Sequence, residues 1–90
     1  MKIVINTCFG GYCLSKKAYE FLGLEWDKFG YKFINNRTNP KLVECVETLG
    51  KEASGWCADL KVVEIPDYVD WVMEDYDGKE SIHEIHQQWY

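Results

Sequence analysis

The sequence predicts an α+β fold in a single small domain. Three observations support this: a β-branched first segment, an amphipathic helix that starts at an asparagine–proline pair, and an Asp77-Gly78 hairpin turn. Ninety residues are too few for two independent hydrophobic cores. We therefore expect residues 1–90 to form one domain.

The N-terminal part of the chain predicts a strand, a short helix and a second strand. Residues 2–6 are mainly Ile and Val and precede a glycine pair, which is typical of a buried strand. Ser15 is a typical N-cap, and Gly23 a typical end, for a helix over about 16–22. Alternation over 31–34 predicts a short second strand. The predicted apolar stripe of the helix consists of Ala18, Phe21 and Leu22.

The second helix has the clearest start signals in the chain. Asn39 is the expected N-cap and Pro40 occupies the first helical position. Apolar residues recur at helical spacing to about Ser54, and Gly55 follows as a C-cap in the left-handed conformation. This helix is expected to be a main source of core side chains, which are Leu42, Val43, Cys45, Val46, Leu49 and Ala53.

The C-terminal part predicts a third strand and a hairpin. Residues 60–65 form a β-branched run that ends at Pro66. Residues 68–76 alternate, and Asp77-Gly78 favours a returning strand through about Ile85. The apolar spacing of 82–89 also fits a helix, so this alternative stays open. The resulting order β-α-β-α-β-β predicts a mixed sheet with both helices on one face.

Charge is distributed unevenly along the chain. The net charge is −5, which argues against nucleic acid as a direct ligand. Residues 1–41 carry a net charge of +4, and residues 42–90 a net charge of −9. The acidic stretch is typical of a solvated face that keeps a small domain soluble, and together with the aromatic side chains it also fits a surface for a basic protein partner. The expected partner-binding residues are Asp70, Trp71, Glu74, Asp75, Tyr76, Asp77 and Glu80.

A glycine pair before the first helix predicts an alternative binding site. Backbone N–H groups at such a turn, together with the helix dipole, can hold a phosphate or carboxylate. The spacing matches neither a dinucleotide-binding fingerprint nor a Walker A loop. The same glycines also serve simply to allow a tight turn. The residues of this anion or nucleotide site would be Gly10, Gly11, Tyr12, Ser15, Lys16 and Lys17.

Neither a metal site nor catalysis is expected. The four cysteines and two histidines lack the spacing of a zinc site, and a reducing compartment disfavours disulfides. Cys8 follows a strand and precedes a Gly-Gly turn, but no base is placed near it by the sequence. We expect no cofactor and no enzymatic activity, with a Cys8-based reaction as the minor alternative.

Hydropathy predicts a protein of the cytoplasm. No run of about 18 apolar residues exists, and the N-terminal apolar run is too short for a signal peptide. The sequence leaves open whether the chain assembles with copies of itself.

Several segments resemble a family of small bacteriophage and prophage proteins. The opening MKIVINTCFGGY with the following Leu-Ser pair carries the strongest resemblance. Other similar segments are residues 37–43, 49–53, 60–66 and 76–78, with His86 and Trp89 near the end. Family members are often longer between the first helix and the Arg-Thr-Asn-Pro segment.

The resemblance implies a counter-defence role in an infected bacterial cell. Small acidic phage proteins commonly bind and disable a host defence component, as anti-CRISPR proteins do, and others capture nucleotide signals. Our principal hypothesis is therefore a stoichiometric inhibitor that uses its acidic C-terminal half. The alternative is a nucleotide or signal-molecule binding module that uses the Gly10-Gly11 loop.

Overall fold

In the described part of the chain, two α-helices and two antiparallel two-stranded sheets make up the fold, which confirms the α+β class. The computed structural model describes residues 1–56 and 58–84. A 3-10 turn at Gly50–Ala53 follows the second helix. In chain order the elements are β1 Lys2–Asn6, α1 Lys16–Leu22, α2 Pro40–Leu49, β2 Leu60–Glu64, β3 Trp71–Tyr76 and β4 Lys79–Glu84.

The strands pair in two separate sheets and not in the single mixed sheet that we predicted. β1 pairs antiparallel with β2, with Lys2 opposite Glu64 and Asn6 opposite Leu60. β3 pairs antiparallel with β4 across the Asp77-Gly78 turn, as the turn predicted. The returning strand reaches Glu84, which favours the strand over the helical alternative for 79–84. The rest of that prediction, from Ile85 onward, lies outside the described residues.

The strand predicted over 31–34 does not form. This segment makes consecutive turns, in which the Ile34 N–H donates to the Tyr31 carbonyl at 3.1 Å. The backbone of Lys32 is occupied by side chains: its N–H donates to the Tyr19 hydroxyl, and its carbonyl accepts from the Tyr12 hydroxyl at 2.6 Å. Two tyrosine side chains thus take the hydrogen bonds that a neighbouring strand would otherwise make.

Both helices start where the sequence predicted. The Ser15 hydroxyl accepts from the Ala18 N–H, and the Asn39 side chain accepts from the Lys41 N–H. α1 ends at Gly23, which has φ 72°. Its buried side chains are Ala18 and Tyr19, whereas the predicted core residue Phe21 is exposed.

α2 ends earlier than we predicted. Gly50 adopts φ 59° and terminates the helix at Leu49, five residues before the expected end at Ser54. Gly55 is therefore not the C-cap. A Cβ at Gly55 would collide with the Cys13 side chain, so this glycine permits a close approach between two backbone segments.

The core lies between the helices and the β1–β2 sheet. α2 contacts both strands of this sheet, and α1 packs against α2. Leu49, predicted as a core residue, is only half-buried at the margin of the cluster. The buried cluster consists of Val4, Tyr12, Leu14, Ala18, Tyr19, Leu42, Val43, Cys45, Val46, Ala53 and Leu60.

Asp27 orders the loop between α1 and the 31–34 turns. Its carboxylate accepts the N–H groups of Phe29 and Gly30, both at 2.8 Å, and the Tyr19 hydroxyl at 2.7 Å. These hydrogen bonds lower the pKa of Asp27 from its ordinary value, and the hydrogen bond from the Gly30 N–H contributes most. The ionised carboxylate is therefore the form that stabilises this loop.

Asp27 should make stability depend on pH in the acid range. Because the folded-state pKa is depressed, this stabilisation is complete above the unfolded pKa and is lost as pH falls below about 4. Asp27→Asn should lower the melting temperature at pH 7, and the difference from the wild type should shrink at low pH. Thermal melts from pH 7 to pH 2.5 measure this, with Glu25→Gln as the control for an exposed neighbouring carboxylate. A difference that stays constant with pH would contradict the assignment.

Candidate functional site

The predicted partner-binding residues lie on the hairpin of β3 and β4. We call residues 70–84 the acidic hairpin. The carboxylates of Asp70, Glu74, Asp75 and Asp77 are exposed, and so is the Tyr76 ring. Trp71 is half-buried. The hairpin therefore brings most of these side chains to the surface on one supersecondary unit.

Strand alternation divides the hairpin into two faces. Val72, Glu74 and Tyr76 are exposed, whereas Trp71 and Met73 are partly buried. The outward face of β4 adds Lys79, Ser81 and His83, which stand opposite those three exposed residues in the register. His83 Nε2 lies 3.7 Å from Glu74 Oε1 and 2.9 Å from the Ser81 hydroxyl. The outer face is thus polar, acidic and partly aromatic.

The tip of the hairpin is tightly built. Asp77 and Gly78 both have positive φ, at 54° and 92°, as a two-residue hairpin turn requires. Asp75 Oδ1 accepts the Gly78 N–H at 2.8 Å. A Cβ at Gly78 would lie 2.5 Å from the Gly11 nitrogen, so the tip packs directly on the Gly10-Gly11 loop. The Phe9 ring meets Tyr76 edge-on with centroids 6.4 Å apart.

Glu80 does not belong to the acidic surface. Its side chain is 5% exposed and forms a bidentate pair with Arg37, with Nη1–Oε1 at 2.6 Å and Nη2–Oε2 at 2.8 Å. The same Oε1 accepts the Asn6 N–H at 2.7 Å. A buried carboxylate needs such compensation because it has lost its hydration. Our inclusion of Glu80 among the partner contacts was therefore wrong.

Arg37 and Glu80 close the open edge of β1. Within residues 1–56 and 58–84, this strand pairs with a neighbouring strand, β2, on one side only. On its other side, the Val4 N–H donates to the Arg37 carbonyl, and the Val4 carbonyl accepts from Arg37 Nη1 at 3.3 Å. The Asn6 N–H next along the strand is taken by Glu80. These contacts satisfy the edge of the strand and attach the acidic hairpin to the core.

Asn6 joins the same network. It is fully buried, and its Nδ2 donates to the carbonyls of Cys8 and Gly78 at 2.6 and 2.7 Å. Its Oδ1 accepts the Asp59 N–H at 2.8 Å. The side chain therefore links the end of β1, the Gly10-Gly11 loop and the hairpin tip. Sequence reasoning treated Asn6 only as the end of a strand.

Arg37 was also missed, although one signal pointed to it. It is the single arginine in a chain that otherwise uses lysine. The planar guanidinium of arginine can donate two parallel hydrogen bonds to one carboxylate, which the ammonium group of lysine cannot do. The Arg37 guanidinium lies 4.0 Å from the Tyr12 ring centroid. Burial raises the pKa of Tyr12, and the nearby Arg37 charge opposes that shift.

Two main-chain N–H groups between the Gly10-Gly11 loop and α1 are already hydrogen-bonded within the protein. The Leu14 N–H donates to the Gly30 carbonyl and the Ser15 N–H to the Ala53 carbonyl. The Ser15 hydroxyl donates to the Glu52 carbonyl and accepts the Ala18 N–H. Two main-chain donors expected to hold an anion therefore have protein acceptors.

The other predicted anion ligands differ in their surroundings. The Tyr12 ring is buried and its hydroxyl donates to the Lys32 carbonyl. Lys16 and Lys17 are both exposed, and Lys17 pairs with Glu52 at 3.1 Å. The positive φ of Gly11, at 94°, accounts for a glycine at this position without any ligand.

The cysteines separate by environment. Cys8 is exposed on the loop after β1, and Cys45 is buried in the core. Burial raises the pKa of the Cys45 thiol to about 11, which keeps it protonated at neutral pH. Across residues 1–56 and 58–84, no three His, Cys, Asp or Glu side chains are grouped in a way that could hold a metal ion. Within the same residues, no helix is long and apolar enough to cross a membrane.

Comparison with known proteins identifies no relative. No family model matches the chain, and no curated protein or solved structure is significantly similar to it.

Proposed function

We propose that the protein is a stoichiometric inhibitor that binds a basic surface of a host defence protein through its acidic hairpin. The observation that carries this proposal is the clustering of four exposed carboxylates with an exposed tyrosine on one hairpin. Aromatic side chains provide contact area in protein interfaces, and exposed carboxylates steer a positively charged partner.

Buried contacts that hold the acidic hairpin against the core should lower the entropy cost of binding a partner. Glu80 pairs with Arg37, and Asn6 holds the carbonyl of Gly78. A surface that is already ordered loses less conformational entropy when it binds. The buried network thus preorganises the residues that would meet the partner.

The class of partner rests on the resemblance to small phage proteins, and the sign of its charge rests on the hairpin. A basic channel that normally holds nucleic acid is the kind of surface that an acidic hairpin would occupy. Inhibition would then be competitive with nucleic acid and would weaken as salt screens the charges.

Neutralising the acidic hairpin should abolish inhibition while leaving the fold intact. The test variant combines Asp70→Asn, Glu74→Gln, Asp75→Asn and Asp77→Asn. Asparagine retains the acceptor at position 75 and tolerates the positive φ at position 77. In bacteria with an active CRISPR–Cas system, wild-type protein should restore plaques of a targeted phage, and the variant should restore few.

A matched control distinguishes the hairpin from the net charge. Replacing Glu20, Glu25, Glu44 and Glu64 by glutamine removes the same charge from exposed positions elsewhere. This control should inhibit as the wild type does. Equal inhibition by a folded hairpin variant, or equal loss in both variants, would contradict a role for the hairpin. A wild-type protein that protects no phage against any defence system tested would contradict the inhibitor function itself.

A further inference from the structure

An aromatic cleft lies outside the acidic hairpin, and four residues of the predicted anion site line it, namely Gly10, Tyr12, Ser15 and Lys16. Two adjoining cavities of about 490 and 250 Å³ share a wall formed by Cys13, Lys28, Phe29 and Trp56. Tyr31 lines the larger cavity, and Trp26 and Lys16 line the smaller one. We call this region the aromatic cleft. The larger cavity falls within the size range of small-molecule sites.

Large aromatic side chains in this cleft are exposed to solvent. Trp56 is 96% exposed, Phe29 64% and Tyr31 54%. The Phe29 and Tyr31 rings stack with centroids 6.0 Å apart and an interplanar angle of 17°. Exposed aromatic faces grouped around a cavity are typical of a binding site, because folding alone gains little from leaving them in water. Flat aromatic surfaces of this kind stack on nucleobases.

Two lysines at the cleft add positive charge. Among the described residues, neither Lys16 nor Lys28 is within ion-pair distance of a carboxylate. Lys28 adopts φ 72°, a conformation that costs free energy for a residue with a side chain. Asp27 stabilises this loop through the N–H groups of Phe29 and Gly30. The loop therefore holds Lys28 and Phe29 at the cavity wall before any ligand arrives.

We propose that the aromatic cleft binds a nucleotide, with its base stacked on the aromatic side chains and its phosphate paired with Lys16 and Lys28. An aromatic platform beside unpaired ammonium groups is complementary to a ligand that is flat and apolar at one end and anionic at the other. The nucleotide could be free or part of a single strand, since both present the same chemistry. The proposed contacts involve no residue of the acidic hairpin. They are made by side chains of a cleft that Gly10 also lines, and not by the backbone N–H groups of the Gly10-Gly11 loop.

Isothermal titration tests the proposal with defined probes. Adenosine 5′-monophosphate, guanosine 5′-monophosphate and a six-nucleotide deoxyadenylate strand are titrated into the full-length protein. At least one should bind, and Trp56→Ala should weaken that binding about tenfold or more, which is the size expected for one stacked base. Tyr68→Ala is the control. It removes another strongly exposed aromatic ring that lines neither cavity of the cleft, and it should leave the affinity unchanged.

A charge variant tests the phosphate contact separately. Lys16→Gln combined with Lys28→Gln should weaken binding at least fivefold at low salt and reduce its salt dependence. Lys41→Gln with Lys61→Gln removes the same charge from exposed positions outside the cleft and serves as the control. Circular dichroism and melting temperature confirm that each variant is folded.

The outcomes are distinct. If the deoxyadenylate oligonucleotide binds no more tightly than adenosine 5′-monophosphate, the ligand is a free nucleotide. If the oligonucleotide binds much more tightly, the ligand is single-stranded nucleic acid. No binding of any probe, or equal affinities of wild type and Trp56→Ala, would overturn the proposal. The titration results do not test inhibition through the acidic hairpin, which the plaque assay measures separately.

Discussion

Replacing Glu80 by leucine should destabilise the folded protein by about 3–5 kcal/mol, because it leaves the buried Arg37 guanidinium without its counter-charge. The pair is almost fully buried and bidentate. The Asn6 N–H would also lose its acceptor. For a domain of this size, total stability is on the order of 5–10 kcal/mol, so this variant should lose roughly a third of that stability or more.

A double variant distinguishes the effect of an unpaired buried charge from the effect of changed packing. Arg37→Met combined with Glu80→Leu removes both charges and keeps apolar volume. Because no uncompensated charge remains, the double variant should be more stable than Glu80→Leu alone. It should still be about 1–3 kcal/mol less stable than the wild type, since the edge groups of β1 lose their partners.

Urea denaturation of the wild type, Glu80→Leu, Arg37→Met and the double variant measures the effect. Glu74→Leu is the control, because Glu74 is exposed and its ion pair with His83 is long, at 3.7 Å. It should change stability by about 0.5 kcal/mol or less. Hydrogen exchange adds a local measurement: in the double variant, the Asn6 amide should exchange faster than amides paired within β1 and β2. A loss below about 1 kcal/mol for Glu80→Leu would contradict the structural role of the pair.

Truncating Leu42 should be the second most damaging change. Leu42 is fully buried in α2 within the main core cluster. Leu42→Ala removes its transfer free energy and leaves a cavity, which together should cost about 2–5 kcal/mol. The position is in the first turns of α2, where alanine retains the helix propensity, so the loss reports packing alone.

Leu49 provides the matched comparison. It is a leucine on the same helix, but it is half-buried at the helix end. Leu49→Ala should therefore cost only about 1–2 kcal/mol, because the removed atoms are partly solvated already. Thermal and urea unfolding of both variants measure the difference. Equal losses, or a larger loss at Leu49, would show that α2 continues into the core beyond Gly50.

Local signals in the sequence predicted elements whose formation depends on near neighbours. The Asn39-Pro40 pair identified the start of α2, since an asparagine cap and a proline at the first position act within a single turn. The Asp77-Gly78 pair identified the hairpin, because both residues tolerate the positive φ that the turn needs. The exposure of Glu74 and Tyr76 followed from period-two alternation.

Elements that depend on distant residues could not be predicted in this way. The strand expected over 31–34 was wrong, because the hydroxyls of Tyr12 and Tyr19 occupy the Lys32 backbone from elsewhere in the fold. Sequence alternation cannot reveal which partner a backbone group will find. The aromatic wall of the cleft was not predicted for the same reason, since Trp56 is 25 residues or more from Lys28, Phe29 and Tyr31, with which it lines the larger cavity.

The start of α2, the turn of the hairpin, the acidic charge of the C-terminal half and the α+β class could all be predicted from the sequence, although the first strand of the hairpin begins at Trp71 and not at Tyr68 as expected. Which of those acidic side chains reach the surface depends on the tertiary structure. Glu80 has the same charge as Glu74, but it lies on the face of the hairpin that meets β1 and Arg37. A carboxylate is buried only where a cation and backbone donors replace its water, and Arg37 lies 43 residues away in the chain.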